Sequence, residues 1–318
     1  MTLGIFDGIH RGHIQLFDLT RELAVDMAGV PLIFTFNNHP LQVREPERDV
    51  KFITLPRETA FLLRKLGFEC VACFDFDADF MKMHAFKFFT RLRSIFDLRA
   101  FVAGYDTTLG SDQVGSDERF KELAKQHGFE FFRIGPVTVT GEPISSRRIR
   151  QLIQEGDITA ANEMLVYPYF VRGRVQPGRG IGRRLLKIPT ANLRPPNEKL
   201  LPKEGVYAGS FHKNRRHYPA ALVVIPAGRR PGFLPRAERT GSAAFQSRTE
   251  QGSMVIEGHI IGQDISLQGR TAEFIFLERL RDNRRFRSID KLQSQINEDI
   301  AATHRIFERF SVRLQFLP

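Results

Sequence analysis

Gly4-Ile5-Phe6-Asp7-Gly8-Ile9-His10-Arg11-Gly12-His13 decides the fold of the first half of this chain. It continues from a short apolar strand at residues 2–6. After it, Leu16, Leu19, Leu23 and Met27 in the run 14–28 recur every three or four positions, the period of one helix face. Asp7-Gly8 makes a turn, Gly12 lets main chain approach a ligand closely, and His13 opens the helix. A helix N-terminus offers free N–H groups and positive potential, which favour phosphate. Two imidazoles three residues apart can aim at the same phosphate oxygens and stabilise charge developing in phosphoryl or nucleotidyl transfer. A tight turn with two surface histidines would use the same residues. The position, at the end of the first strand of an open α/β sheet where ligands bind, tells for the phosphate site. No third ligand of suitable spacing is near, which tells against a metal.

Outward from that turn, strand-like runs at 31–36, 69–74, 100–103 and 128–134 alternate with helix-like runs at 57–66, 86–96 and 116–127. Helices at 146–155 and 158–165 follow. This order implies a parallel sheet with helices on its faces. The rhythm changes near Tyr167. Short β-rich runs at 170–175, 205–211, 220–225, 253–261 and 272–276 are separated by Gly, Pro and Asn, as in an antiparallel barrel or sandwich, and an amphipathic helix at 288–310 closes the chain. The 318 residues exceed the usual single domain of roughly 100–200. Two domains are therefore expected, 1–166 and 167–318.

Composition narrows the class. Apolar residues at 42% exclude disorder as the main state. The 47 Lys and Arg against 36 Asp and Glu leave a net charge of +11, which suits nucleotides, nucleic acid or acidic lipid without choosing among them. Two Cys exclude a disulfide scaffold and fit a reducing compartment. No apolar run approaches the roughly 20 residues of a membrane helix, and Asp7 and His10 come too early for a signal peptide. A cytoplasmic protein with no membrane partner is expected.

In Ile144-Ser145-Ser146-Arg147-Arg148-Ile149-Arg150, two hydroxyls at a helix start and three guanidinium groups make an anion clamp. A Ser N-cap with a basic first turn is the other reading of that stretch. Basic residues near a helix N-terminus oppose its dipole, and a bound anion would explain them.

In order, GIFDGIHRGH (4–13), TFNNHP (35–40), GYDTTLG (104–110) and ISSRRIR (144–150) resemble the motifs of the bifunctional riboflavin kinase/FMN adenylyltransferase family, the prokaryotic FAD synthetases. The resemblance implies an α/β plus β architecture: a Rossmann-like nucleotidyltransferase domain with a parallel sheet, then an antiparallel β-barrel riboflavin kinase domain with a closing helix. It implies that His10 and His13 act on the ATP phosphates, within a turn built by Gly4, Phe6, Asp7, Gly8 and Gly12. Ser145, Ser146, Arg147 and Arg150 would clamp the triphosphate, and His39 and Asp106 would lie near the flavin or nucleotide. The chain departs from the pattern at Ile5, where the family has Asn. It departs again at Thr107-Thr108-Leu109, where an aromatic pair is usual, and at Arg147, where Thr is usual.

The second half carries its own constellation. In Pro189-Thr190-Ala191-Asn192, a hydroxyl and an amide oxygen two residues apart on an extended segment point to one side. Both are hard ligands suited to Mg²⁺ that keeps waters and phosphate oxygens. A glycine- and arginine-rich stretch at 178–184 precedes them. A proline turn with polar filler is the alternative. Glu257-Gly258-His259 interrupts an apolar strand at 254–261, and period two puts Glu257 and His259 on one face. A carboxylate there needs a partner or a task. It could be the general base for a substrate hydroxyl, or form a salt bridge, or face solvent. PTAN, GVYAG (205–209), Glu-x-His and residues 264–286 continue the resemblance. It implies that Thr190 and Asn192 bind Mg²⁺ and ATP phosphates, that Glu257 deprotonates the ribityl 5′-hydroxyl, and that Arg281 begins the segment covering the flavin. Residues 226–233 and 183–192 depart from the pattern, and the loop 228–252 is long and rich in Arg, Gly and Ser. The implied chemistry is riboflavin to FMN with ATP, then FMN to FAD with a second ATP and release of pyrophosphate. A chain with one of the two activities, or a flavin- or nucleotide-binding protein without turnover, is the alternative.

Cys70-x-x-Cys73 has metal or redox spacing, but residues i and i+3 of a strand face opposite sides, so both read as small buried apolar residues. The arginines of 229–239 and 281–287 come without a recognition motif and read as solvated basic loops, with no nucleic-acid partner.

Overall fold

The computed structural model describes residues 1–177, 188–214, 216–227, 254–263, 265 and 267–314. The basic stretch at 178–184 and the loop at 228–252 lie outside the described residues, as do residues 183–187 of the run 183–192. The chain folds as two compact units, Met1–Arg148 and Ile149–Pro318.

The first unit alternates strands and helices. β1 (Thr2–Leu3) leads to α1 (Arg11–Asp26), β2 (Leu32–Phe36), α2 (Pro40–Arg44), α3 (Pro56–Lys65) and β3 (Cys70–Phe74). Then come α4 (Ala78–Met81), α5 (Ala85–Arg93), β4 (Ala100–Ala103), α6 (Asp117–His127), β5 (Glu130–Arg133) and a small hairpin, β6 (Thr138–Val139) with β7 (Glu142–Pro143). The five-stranded sheet is parallel, in the order β3-β2-β1-β4-β5. Every residue of β2 and β4 is buried, as expected of central strands covered on both faces. Phe89, Phe101 and Phe120 are fully buried among the phenylalanines that fill this core. From β1 the chain winds outward to β2 and β3, then returns to β4 on the other side of β1. The strand order therefore reverses between β1 and β4, which is where open α/β sheets bind ligands.

β1 is shorter than the run 2–6. The last rung is Gly4 N–H donating to the Phe34 carbonyl at 3.1 Å. Phe6 then takes φ 50°, a left-handed conformation that ends the strand. The short α2 and α4, begun by side-chain caps from His39 and Asp77, are too brief to show a period. The cysteines need a correction: Cys70 is half-buried and Cys73 exposed, because β3 is an edge strand with a neighbour on one side only.

The second unit opens with most of α7 (Ser146–Glu155) and with α8 (Ile158–Met164). The strands are β8 (Phe170–Gln176), β9 (Ala191–Arg194), β10 (Gly205–Lys213), β11 (Arg216–Pro226), β12 (Met254–Ile260) and β13 (Thr271–Arg281), followed by α9 (Ile289–Leu314). They close an antiparallel barrel in the order β10-β11-β12-β9-β8-β13. α8 is tied to the barrel through buried Asn162, which donates to the Phe276 carbonyl at 2.9 Å and accepts from Tyr169 N–H at 2.7 Å. β13 runs five residues past the expected 276 because 278–281 keep pairing with β10. That places Arg281 on a strand rather than in a solvated loop. Its guanidinium grips Asp299 of α9 at 3.0 and 2.6 Å, and both side chains are largely buried. Arg284, Arg285 and Arg287 beyond it are exposed.

Candidate functional site

His10 is the N-cap of α1, and the cap is reciprocal. His13 N–H donates to His10 Nδ1 at 3.3 Å, and His10 N–H donates to His13 Nδ1 at 3.4 Å. The rings stack with centroids 3.6 Å apart and 16° between planes. An Nδ1 that accepts from an N–H carries no proton, so each neutral ring is protonated on Nε2. The pair thus presents two Nε2–H donors. Burial lowers the His10 pKa to about 4. Burial, and then the neighbouring His10 charge, hold His13 well below the ordinary histidine value. Both rings are neutral at physiological pH.

The turn before them is braced from one side. Asp7 Oδ1 accepts from Thr54 N–H at 2.8 Å, and Gly8 N–H donates to Thr54 Oγ1 at 2.7 Å. Gly8 has φ +64°, and a Cβ there would come within 2.8 Å of Ile53. Only glycine fits both demands. Phe6, buried, sets its ring edge-on to His13 at 5.1 Å and against Phe17 at 5.0 Å. Gly12 lies in the first turn of α1.

From the other side, Ser146 Oγ donates to the Asp7 carbonyl at 2.7 Å, tying the start of α7 to the same turn. Ser145 Oγ accepts from Arg148 N–H at 3.3 Å, the geometry of an N-cap. Arg147 is exposed, and Arg148 Nη1 is buried with no hydrogen-bond partner among the described residues. The Ser-Ser-Arg-Arg stretch and the histidine turn are therefore joined in one place although some 130 residues separate them. Asp106, exposed, follows the end of β4, and Gly104 N–H donates to Thr107 Oγ1 at 2.9 Å in that loop. β4 neighbours β1, so the loops at 104–110 and 4–13 leave adjacent strand ends. His39 caps α2 through Nδ1, which accepts from Leu41 N–H at 3.1 Å. Thr54, the residue that anchors Asp7 and Gly8, carries no signal in the sequence.

In the barrel, Glu257 and Asn192 are cross-strand partners on β12 and β9, so their side chains share a face. His259 lies on that face by period two, and its Nδ1 bonds the Pro189 carbonyl at 2.9 Å. Between them, Gly258 points inward, where a Cβ would meet the Phe274 ring at 2.3 Å. Burial raises the Glu257 carboxyl above its ordinary value, which strengthens it as a base. Thr190 is exposed and Asn192 half-buried. Arg281, bound to Asp299, sits at the far end of β13.

Two family models cover consecutive parts of the chain: FAD synthetase over residues 1–148 and riboflavin kinase over residues 165–307. The chain belongs to the bifunctional riboflavin kinase/FMN adenylyltransferase family. Relatives of that description from Listeria monocytogenes and Bacillus subtilis are each 28% identical, over 97% and 96% of this chain and 92% of theirs. One from Escherichia coli K12 is 26% identical over 96% of this chain and 92% of its own. A crystal structure from Streptococcus pneumoniae, described as a macrolide-efflux protein, superposes with a TM-score of 0.81. It is 28% identical and covers 95% of this chain and 93% of its own. Among the described residues of this chain, no helix is long and apolar enough to cross a membrane. The two family models account for both halves of the fold: the parallel sheet and the closed barrel.

Proposed function

We propose that this chain makes FAD from riboflavin in two ATP-dependent steps, one in each unit. The barrel transfers the γ-phosphate of ATP to the ribityl hydroxyl of riboflavin, giving FMN. The α/β unit transfers AMP from a second ATP to FMN, giving FAD and pyrophosphate. The observation that carries this reading is the match of both families, side by side, to a chain that keeps a neutral imidazole pair in one half and a half-buried carboxylate in the other.

In the α/β unit, the two Nε2–H groups donate to phosphate oxygens as charge develops, and the helix N-terminus adds its dipole. Positive charge comes from the basic turn at Arg147–Arg150, since the imidazoles are neutral. Ser145 caps that turn and Ser146 holds it against Asp7. His39 and Asp106 line the approach of the flavin or nucleotide. In the barrel, Glu257 takes the proton of the attacking hydroxyl. Thr190 and Asn192 offer hard oxygens. Among the described residues, no group of three His, Cys, Asp or Glu could hold a metal alone. That suits Mg²⁺ shared with ATP phosphates, whose charge the ion would neutralise. Arg281 acts through Asp299 on the segment that follows β13.

Incubating the chain with riboflavin, ATP and Mg²⁺ and separating the products by chromatography tests this directly. FMN appearing first and FAD later is expected. FMN alone, or FAD only from supplied FMN, would leave a single activity, and no turnover with retained flavin binding would leave a binding protein.

A further inference from the structure

The β9–β12 ladder stops early. Its pairs run Leu193–Ile256, Asn192–Glu257 and Ala191–Gly258. The next pair in this register would bring Thr190 opposite His259, and the one after it Pro189 opposite Ile260. Proline has no N–H to give, so a main-chain ladder cannot be carried through it. The Pro189 carbonyl is bonded instead by the His259 side chain, Nδ1 to oxygen at 2.9 Å. A carbonyl only accepts, so Nδ1 carries the proton. Thr190 therefore lies between two fixed points, the His259 bond on one side and the Ala191–Gly258 pair on the other. It is itself exposed. An exposed threonine one residue beyond a strand end is otherwise free to rotate out of register. Held extended, it keeps Thr190, Asn192, Glu257 and His259 on one face.

We infer that His259 is a positioning residue of the phosphorylation site: its imidazole donates to the Pro189 carbonyl where the main-chain ladder ends and so keeps the Thr190 hydroxyl in line with Asn192 and Glu257. The inference rests on the kinase reading of the barrel. It assigns His259 no contact with substrate and no proton transfer.

Two variants and two readouts test it. Asn can donate a side-chain N–H to the Pro189 carbonyl, whereas Ala cannot. In the ligand-free protein, hydrogen exchange of peptides spanning residues 188–194 is followed by mass spectrometry. In the full reaction, FMN formation from riboflavin and ATP is measured against Mg²⁺ concentration. His259→Ala should speed exchange in that segment and raise the Mg²⁺ concentration at half-maximal rate by about tenfold, the lower end for loss of a residue that orients metal ligands. His259→Asn should return both towards wild type. Circular dichroism checks that each variant is folded. The two readouts must move together. If neither moves in His259→Ala, or the Mg²⁺ dependence changes while exchange stays slow, the positioning role is wrong. The second result would mean that the imidazole acts on substrate itself. Absence of FMN formation by the wild type would instead overturn the kinase reading, and the exchange comparison would still show whether His259 holds the segment.

Discussion

His10 and His13 cap each other: each imidazole Nδ1 accepts the other residue's main-chain N–H, and the rings stack at 3.6 Å. The N-terminus of α1 thereby satisfies two of its free donors with the same side chains proposed to meet the phosphates. Both rings are fixed in one tautomer before any ligand arrives. This preorganisation has a cost that appears in acid.

The folded protein keeps His10 neutral down to about pH 4, whereas an unfolded chain protonates it near 6.5. Between those values the unfolded state binds more protons, so stability falls as pH falls through the window. His10→Asn keeps a capping acceptor and removes the titration. Urea midpoints measured from pH 7 to pH 4.5 should show a shallower loss in the variant, by up to about 1.4 kcal/mol per pH unit. His217, lowered to about 4 by burial, stays in both proteins and adds the same slope to each. Parallel curves would mean that His10 is protonated in the folded state.

Glu257 has the opposite sign. Its folded pKa is raised by burial, so the unfolded chain releases the proton first and ionisation costs stability as pH rises above the ordinary value of 4.5. Glu257→Gln should therefore be more stable than wild type at neutral pH, with the difference vanishing in acid. The same variant should form FMN about 10²-fold more slowly or worse, while still converting supplied FMN to FAD. Thermal unfolding at two pH values and product chromatography read both effects. Wild-type FMN production would remove Glu257 from the reaction.

Arg147 is exposed at the start of α7, one residue after the serine that binds the Asp7 carbonyl. Where the family pattern has a short neutral hydroxyl, this chain carries a charged planar fork suited to phosphate oxygens. Arg147→Ala should raise the KM for ATP in FAD formation and leave FMN formation alone. Added salt should weaken ATP use more in wild type than in the variant, because exposed charge pairs are screened. An unchanged ATP dependence would make this side chain a bystander.

The Arg281–Asp299 pair is largely buried, with two short contacts. Removing one partner leaves an uncompensated charge, and losses of roughly 3–5 kcal/mol are typical. Asp299→Asn should lower the unfolding midpoint sharply. Replacing both residues with apolar side chains should recover much of the loss. If Asp299→Asn is no less stable than wild type, the pair is solvated in solution and does not pin α9 to β13.

The elements most legible in the sequence were those with a long period or an unbroken apolar run. The run 100–103 coincides with β4 and 146–155 with α7, because buried strands and amphipathic helices write their environment into every residue. β9 was visible only as an extended segment, since its four residues are too few to alternate convincingly. β13 outran its apolar run because 278–281, polar at three positions of four, are held by pairing with β10. An apolar strand predicts a buried Cys73, yet edge position is a property of strand order, and strand order is not local.

The candidate sites divide in the same way. The spacing of His10 and His13, the run Ser145-Ser146, and the alternation of Glu257 and His259 are covalent facts, and one strand or one helical turn converts them directly into shared faces. By itself the sequence determined which chemical groups this protein owns and which of them are neighbours along the chain. Only the tertiary structure decided that Ser146 bonds Asp7, that Thr54 anchors the histidine turn, that Asn192 lies across from Glu257, and that His259 holds Pro189. Those contacts join residues tens to more than a hundred positions apart. They exist because the sheet reverses its order beside β1 and the barrel closes, and burial then sets the proton affinity of each group.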